Sequence, residues 1–324
     1  MSVITFGELA VELLPRETVL EGLERAGQRI PNSCRSGVCQ SCLMQALDGE
    51  PSPQSQRGLK QTLARQGYFL ACQCQPEGDL EVALPNEVLR EFQTQVVGKT
   101  QVADDVLVLR LELPDGFACR PGQYLNLAVD EVLRSYSVAS VPERDGYIEL
   151  HIRRVPGGRL SNWLHDQCEP GAACTIRGPL GECFYLAEDD SDFPILLAGT
   201  STGLAPLEGI LRDALHQGHR GPITLIHGAL RREGLYHGDK LRELAALHPN
   251  FTYLPAVRDE GESGDVALLL QQRFAQNPAK NTRVFLCGAP ELVNSLRRQV
   301  FLQGAASSHI HADPFVMAPA PKVN

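Results

Sequence analysis

The stretch "CRSGVCQSC", Cys34–Cys42, decides how this chain is read. Three thiols fall within nine residues at the spacing C-x4-C-x2-C, with one apolar side chain, Val38, among them. A core cysteine needs no such company, and a disulfide framework would spread its thiols out. The spacing asks for a fourth thiol. "YFLACQCQP" (68–76) offers Cys72, separated from Cys42 by 29 residues, and Cys74. C-x4-C-x2-C followed at a distance by one more Cys is the plant-type [2Fe–2S] ligand spacing. Ser33, Ser36, Gly37 and Ser41 are small. Backbone amides can therefore approach the sulfurs, offset the cluster's negative charge and help set its potential. Structural zinc usually takes two C-x2-C knuckles, and this chain has one, so the spacing favours the cluster.

The whole chain sets further bounds. The chain has 324 residues, more than one ordinary core holds, so two or three domains are expected. With 43% hydrophobic and 21% charged residues it is an ordinary globular composition. The longest apolar runs, such as "PILLA" and "VALLL", fall well short of a membrane span. The N-terminus lacks a basic region followed by a long apolar one, so no signal peptide is read. The expected compartment is the cytoplasm, where thiols stay reduced, and ten cysteines there suggest metal or redox use for some. A net charge of −9 argues against a nucleic-acid partner. Neither nucleic acid nor a membrane is an expected partner.

Three segments follow from patterning. The first, 1–91, opens with the strand-like runs "VITF" and "AVELL" joined through Gly7. "ETVLEGLERAG" then sets Val19, Leu20, Leu23 and Ala26 on one helical face, with Gly27 at its end. Hairpin, helix, thiol loop and further short strands predict a small α+β domain. The second, 92–190, is rich in alternating and β-branched runs such as "VLVLRLEL" and "YIELHIRRV", broken by Gly and Pro, and predicts an antiparallel barrel. The third, 191–324, alternates strand and helix from "PILLAG" to "PELVNSLRRQVFLQG" and predicts a parallel sheet covered on both faces.

Within the second segment, "RSYS" (134–137) is followed some twenty residues on by "VPGGRLSNWL". Gly157 and Gly158 open a turn and Ser161 begins a helix, and a Gly-rich turn feeding a helix start suits phosphate. Arg134 can grip a pyrophosphate with two charge-assisted bonds. Tyr136 can lay its ring on an isoalloxazine, and Ser137 can hydrogen-bond near flavin N5. Each piece alone is weak; in this order they favour a flavin. In the third segment "LLAGTSTGLAPL" holds Gly199, Thr202, Gly203 and Pro206 between a buried strand and a helix, where amides can hold a second pyrophosphate.

With these motifs on the page, the chain resembles the ferredoxin–NAD(P) reductase superfamily. It is most similar to the fused reductase components of bacterial ring-hydroxylating dioxygenases and multicomponent monooxygenases. The resemblance runs over essentially the whole chain. It implies a β-grasp ferredoxin domain, an antiparallel β-barrel domain that binds FAD and an α/β domain that binds NADH. It implies Cys34, Cys39, Cys42 and Cys72 as cluster ligands, with Cys72 preferred over Cys74 on the pattern "xCxxxP". It extends the flavin site to His151 and Ile152, then to Gly158, Arg159, Leu160 and Ser161. Where the family has G-x-G-T-G-x-x-P this chain has Ser201 at the second glycine, a small residue in place of a smaller one. "CGxP" implies that Cys287 and Gly288 lie beside the nicotinamide. The tail "HADPFV" resembles the family's acidic-x-aromatic ending, with Asp313 at the acidic place and Phe315 covering a ring edge. The other scattered cysteines, Cys119, Cys168, Cys174 and Cys183, read as packing residues.

The implied activity is electron splitting. NADH gives a hydride to FAD, and the [2Fe–2S] cluster hands electrons singly to a partner protein. NADH is preferred on the resemblance, although Arg231 and Arg232 stand where an arginine would meet the extra phosphate of NADPH. The expected partner is a terminal oxygenase with a Rieske/non-haem iron or diiron centre. The alternatives are the same electron chain serving a deoxysugar dehydrase or haem monooxygenase, or a redox-sensing subunit without turnover. Residues 1–91 carry 12 acidic and 8 basic side chains, a balance of 8 − 12 = −4, which suits weak docking on a basic patch.

Overall fold

The computed structural model describes residues 2–85, 90–187, 192–260, 264–276 and 279–316. It divides into two compact units, Met1–Leu89 and Arg90–Asn324. The expected boundary at 190/191 falls outside the described residues.

In the first unit, β1 (Val3–Phe6) and β2 (Leu9–Glu12) form the hairpin read around Gly7. α1 (Val19–Arg25) follows, closed at its start by a reciprocal cap: Thr18 Oγ1 accepts from the Glu21 amide, and the Glu21 carboxylate accepts from the Thr18 amide. Its apolar face, Val19, Leu20 and Leu23, is buried under the sheet completed by β3 (Leu43–Asp48), β4 (Tyr68–Leu70) and β5 (Leu80–Ala83). A one-turn helix, α2 (Gln61–Ala64), precedes β4. Strand order is β2-β1-β5-β3-β4, with β1 and β5 parallel. The thiol loop leaves this sheet at the start of β3, and Cys72 lies just past the end of β4.

The second unit begins with the long strand β6 (Glu91–Ala103), then β7 (Val106–Glu112), β8 (Tyr124–Val129) and β9 (Val132–Ser137). A short helix α3 (Pro142–Asp145) leads to β10 (Tyr147–Arg153), α4 (Arg159–Asp166) and β11 (Ala173–Leu180). The antiparallel order is β10-β7-β6-β11-β8-β9. The two edges meet, because Val138 bridges Leu150 and the Ala139 amide donates to the Glu149 carbonyl at 2.8 Å. The sheet is therefore closed into a barrel, which removes its free edges. Leu107, Leu109 and Leu111 of β7 and Ile148, Leu150 and Ile152 of β10 alternate into its core.

The chain then alternates β12 (Ile195–Thr200), α5 (Leu204–His216), β13 (Ile223–Ala229), α6 (Gly238–Leu247), β14 (Phe251–Val257), α7 (Val266–Gln276), β15 (Arg283–Gly288), α8 (Pro290–Leu302) and β16 (Ile310–Pro314). The sheet is all parallel, in the order β14-β13-β12-β15-β16. Strand β16 is a departure from the sequence reading, which treated this tail as an ending rather than a strand. "IHADP" carries too little apolar pattern to show itself.

Helix α5 lies on the barrel's closing seam. A Cβ on Gly209 would come within 2.8 Å of the Val138 carbonyl oxygen and 3.2 Å of Ala139's. A mid-helix glycine is unfavourable by itself, by about 1 kcal/mol against alanine, so close backbone approach accounts for it. Gly209→Val should force α5 off the seam and destabilise this unit by about 1–3 kcal/mol, read as a lowered urea midpoint. An unchanged midpoint would mean that the seam has slack.

Candidate functional site

The thiol loop is coiled tightly. Arg35, Gly37 and Gln40 all lie in the left-handed region, at φ 52, 81 and 59. Two of these are not glycine, so local strain is held by the surroundings. The coil turns amides onto sulfur: the Ser36 and Cys39 amides donate to Cys34 Sγ at 3.4 and 3.3 Å, and the Cys34 amide to Cys39 Sγ at 3.4 Å. The Ser36 hydroxyl and these amides pull the Cys34 thiol down to about 5, so it is ready to act as a thiolate. Cys39 is lowered too, chiefly by the Ser41 hydroxyl. Cys42 lies deeper beside Cys72, and burial pushes it up to about 11. The Gln73 amide pins the two segments, donating to the Arg35 carbonyl at 3.2 Å and the Cys72 carbonyl at 3.0 Å.

Cys74 faces elsewhere. It is fully buried in the apolar core beside Ser52 and Ser55, and burial raises its thiol. Four thiols in two neighbouring pairs, ringed by amide donors, fit a two-iron cluster in donor chemistry and local charge.

In the barrel, β9 carries Arg134, Tyr136 and Ser137. Arg134 is exposed, and its Nη1 donates to the neighbouring Leu133 carbonyl at 2.7 Å. Tyr136 is packed against the barrel core, and burial raises its hydroxyl. Helix α4 packs on β9 and β10, which brings the glycine turn towards these residues. The helix begins at Arg159 with Gly158 as its cap, not at Ser161 as the sequence suggested. Ser161 Oγ instead reaches back and accepts from the Val155 amide at 3.2 Å, bracing the turn. Leu160 is buried in the barrel core and Arg159 is exposed. No side chain caps the helix, so its first amides are left for a ligand, which fits a phosphate group. Ile152 points into the barrel core. The His151 imidazole points the other way, towards Tyr236 and His237.

The nucleotide turn closes on β15. A Cβ at Gly199 or at Gly203 would fall 2.4 Å from the Cys287 carbonyl oxygen, so both positions need glycine. Thr202 and Pro206 are buried beside them. Ser201 sits at φ 52, where glycine is favoured. The departure from the family pattern is therefore one of backbone conformation and not of side-chain size. No side chain caps α5 either.

Around Cys287 the elements meet. Its Sγ is 3.7 Å from Cys183 Sγ, a pairing of residues far apart in sequence that no motif signalled. Asp313 of β16 lies beside Cys287 in the paired strand, and Ser137 Oγ donates to Asp313 Oδ2 at 3.4 Å. The Phe315 amide donates to the Gly288 carbonyl at 2.8 Å, which fixes the half-buried Phe315 at the same edge. Ser137, Cys287, Gly288 and Phe315 are thus brought together, with Asp313 as the link.

Family models match the three parts separately. They are a 2Fe-2S iron-sulfur cluster binding domain over residues 7–77, an oxidoreductase FAD-binding domain over 93–185 and an oxidoreductase NAD-binding domain over 196–298. Thiol loop, barrel and nucleotide sheet define the class, an NAD(P)H-dependent flavin and iron–sulfur oxidoreductase. The chain belongs to the family of reductase components in which these three domains are fused. The reductase subunit of an aromatic O-demethylase from an Amycolatopsis species is 32% identical, over 97% of this chain and 98% of its own. The reductase component of the naphthalene 1,2-dioxygenase system of Pseudomonas putida is 33% identical, over 92% and 93%. The crystal structure of the Amycolatopsis cytochrome P450 reductase GcoB superposes with a TM-score of 0.66, covering 99% of this chain and 100% of that one at 32% identity. Among the described residues no helix is long and apolar enough to cross a membrane.

Two predictions follow from this geometry. Cys72→Ser should lose the visible iron–sulfur absorbance, while Cys74→Ser keeps it; the reverse pattern would exchange their assignments. The second concerns Asp313, whose carboxyl is lifted by burial to about 6 against the donation from Ser137. A folded pKa above the unfolded one gives stability that is present in acid and lost as pH rises through about 6. Asp313→Asn should therefore gain in thermal midpoint over wild type between about pH 5 and about pH 8. A constant difference would mean that the carboxyl does not titrate there.

Proposed function

We propose that this chain takes hydride from NADH and delivers electrons singly to a terminal oxygenase, through its three parts 1–91, 92–190 and 191–324. The observation that carries the reading is the convergence of Ser137 from the barrel with Asp313 and Cys287 from the nucleotide sheet. A hydride donor and a flavin must meet face to face, and this is where the residues of both sites come together.

Bound FAD supplies two-electron acceptance and one-electron release, and the [2Fe–2S] cluster supplies one-electron relay. The chain's own residues supply position. Arg134 would hold the FAD pyrophosphate, together with the amides of Gly158, Arg159, Leu160 and Ser161. Tyr136 would lie against the flavin ring, and Ser137 Oγ would hold a proton towards N5. Asp313 governs that proton, because an ionised carboxylate draws the Ser137 hydroxyl to itself. The turn from Gly199 to Pro206 would take the nucleotide pyrophosphate, with Cys287 and Gly288 beneath the nicotinamide and Phe315 shielding the edge from water. Cys34, Cys39, Cys42 and Cys72 would hold the irons. His151 and Ile152 would meet the flavin through their strand backbone, since the His151 ring faces Tyr236 and His237.

NADH is preferred on a local charge argument. Arg231, just after β13, already faces Asp259, with Nε and Oδ2 3.7 Å apart on the surface. That carboxylate disfavours an added 2′-phosphate. The oxygenase assignment of the acceptor follows from the reductase components that this chain resembles along its length, which serve naphthalene and terephthalate dioxygenase systems.

The test is an anaerobic titration of the purified protein followed in the visible. NADH should bleach both flavin and iron–sulfur bands, with NADPH at least tenfold less efficient (about 1.4 kcal/mol or more of discrimination). Bands that respond to neither nucleotide would overturn the reading.

A further inference from the structure

Away from that site, buried charge gathers where β10 meets α5 and the turn into α6. Glu149 and His151 face out of the barrel, yet they are only 3% and 4% exposed. Glu208 of α5 is 1% exposed. His237, just before α6, sits in the left-handed region at φ 60. Most of these groups are satisfied. Arg110 Nε donates to Glu149 Oε2 at 2.8 Å, His237 Nδ1 lies 2.8 Å from Glu208 Oε2, and the Lys240 ammonium meets the other Glu208 oxygen.

One atom is not satisfied. His151 Nε2 has no hydrogen-bond partner, although the side chain is 0% exposed. Its nearest carboxylate oxygen, Glu149 Oε1, is 3.6 Å away, beyond a hydrogen bond. The opposite nitrogen is engaged: Nδ1 lies 3.0 Å from the Tyr236 hydroxyl, and that hydroxyl donates to the Ser201 carbonyl at 3.4 Å. With Nδ1 engaged by the Tyr236 hydroxyl, Nε2 is the ring nitrogen left to serve a ligand. A buried ring nitrogen without a partner is costly, and a bound cation would satisfy it.

We propose that His151, Glu208 and His237 form a binding site for a single divalent zinc-like metal ion. One potential ligand atom from each lies within 4.8 Å of the other two. Two imidazoles and a carboxylate, with a fourth position left for water, are a donor set that zinc accepts. The Tyr236 hydroxyl on Nδ1 is the kind of outer hydrogen bond that orients a metal-binding imidazole. Binding replaces the hydrogen bond between His237 Nδ1 and the Glu208 carboxylate. It also releases the Lys240 ammonium, which is already 52% exposed. The ligands come from a barrel strand, a helix of the parallel sheet and the turn before α6, so the ion would cross-link the barrel to that sheet without taking part in electron transfer. The site is independent of the oxygenase reading, since zinc binding needs neither nucleotide nor turnover.

The test is equilibrium dialysis of the flavin- and cluster-loaded protein against Zn²⁺, with zinc and iron counted by elemental analysis and the bound zinc examined by X-ray absorption. The expected result is one saturable zinc per chain with iron unchanged, and a nitrogen/oxygen shell at about 2.0–2.1 Å without sulfur at about 2.3 Å. His237→Asn keeps a side chain that tolerates a positive φ and removes a ligand, so it should weaken zinc about tenfold or more. No saturable zinc, a sulfur shell, or unaltered affinity in His237→Asn would each overturn the proposal.

Discussion

The nucleotide half is organised around a backbone crossing that tolerates no side chain. The Cys287 carbonyl passes so close to Gly199 and Gly203 that a single carbon on either would collide with it at 2.4 Å. That approach sets the height of the turn after β12 against the end of β15. It thereby places the uncapped start of α5 level with Cys287 and Gly288. Because β16 pairs with β15 in register, Cys287 opposite Asp313, the same crossing fixes the tail as well. Asp313 then reaches Ser137 on the barrel, and residues distant in sequence come together.

The barrel meets this sheet through a second close contact and a polar one. Gly209 lets α5 settle on the carbonyls of Val138 and Ala139, the segment that closes the barrel. Alternation along β10 sends Ile148, Leu150 and Ile152 inward, and it must therefore send Glu149 and His151 outward beneath α5. Charged groups there are costly to bury unless paired. Arg110 answers Glu149, while His237 and Lys240 answer Glu208. Burial works against the Glu208 carboxylate, but the His237 hydrogen bond and the surrounding positive charge hold it below the usual carboxylate range. A polar junction of this kind fixes geometry more than it adds stability, and fixed geometry is what a hydride-transfer site demands.

Much of this was legible in order along the chain. The thiol spacing, the alternating strands and the strand–helix alternation are local patterns, so the three architectures and the cluster, flavin and nucleotide motifs could be read directly. The local patterns say less where a residue's partner lies far off. Ser161 looks like a helix start, but its hydroxyl serves the Val155 amide and the helix begins two residues earlier. His151 sits among flavin-site residues in sequence, yet strand alternation turns its ring away from them. Strand β16 has so little apolar pattern that only pairing with β15 makes it a strand.

Which groups are present, and their local setting, follows from the sequence: three thiols in a tight loop with two candidates for a fourth further on, an Arg-x-Tyr-Ser strand, two glycine turns before helices. These depend on residues a few positions apart, where covalent geometry and spacing govern. The tertiary structure alone decided which of the two neighbouring thiols faces the loop, Cys72 or Cys74, since that depends on which way a short turn buries its side chains. It alone brought Cys183 to Cys287, Asp313 to Ser137, and His151 to Glu208 and His237. Those contacts are set by sheet register and by how closely two backbones can pass, and neither is encoded in any one segment.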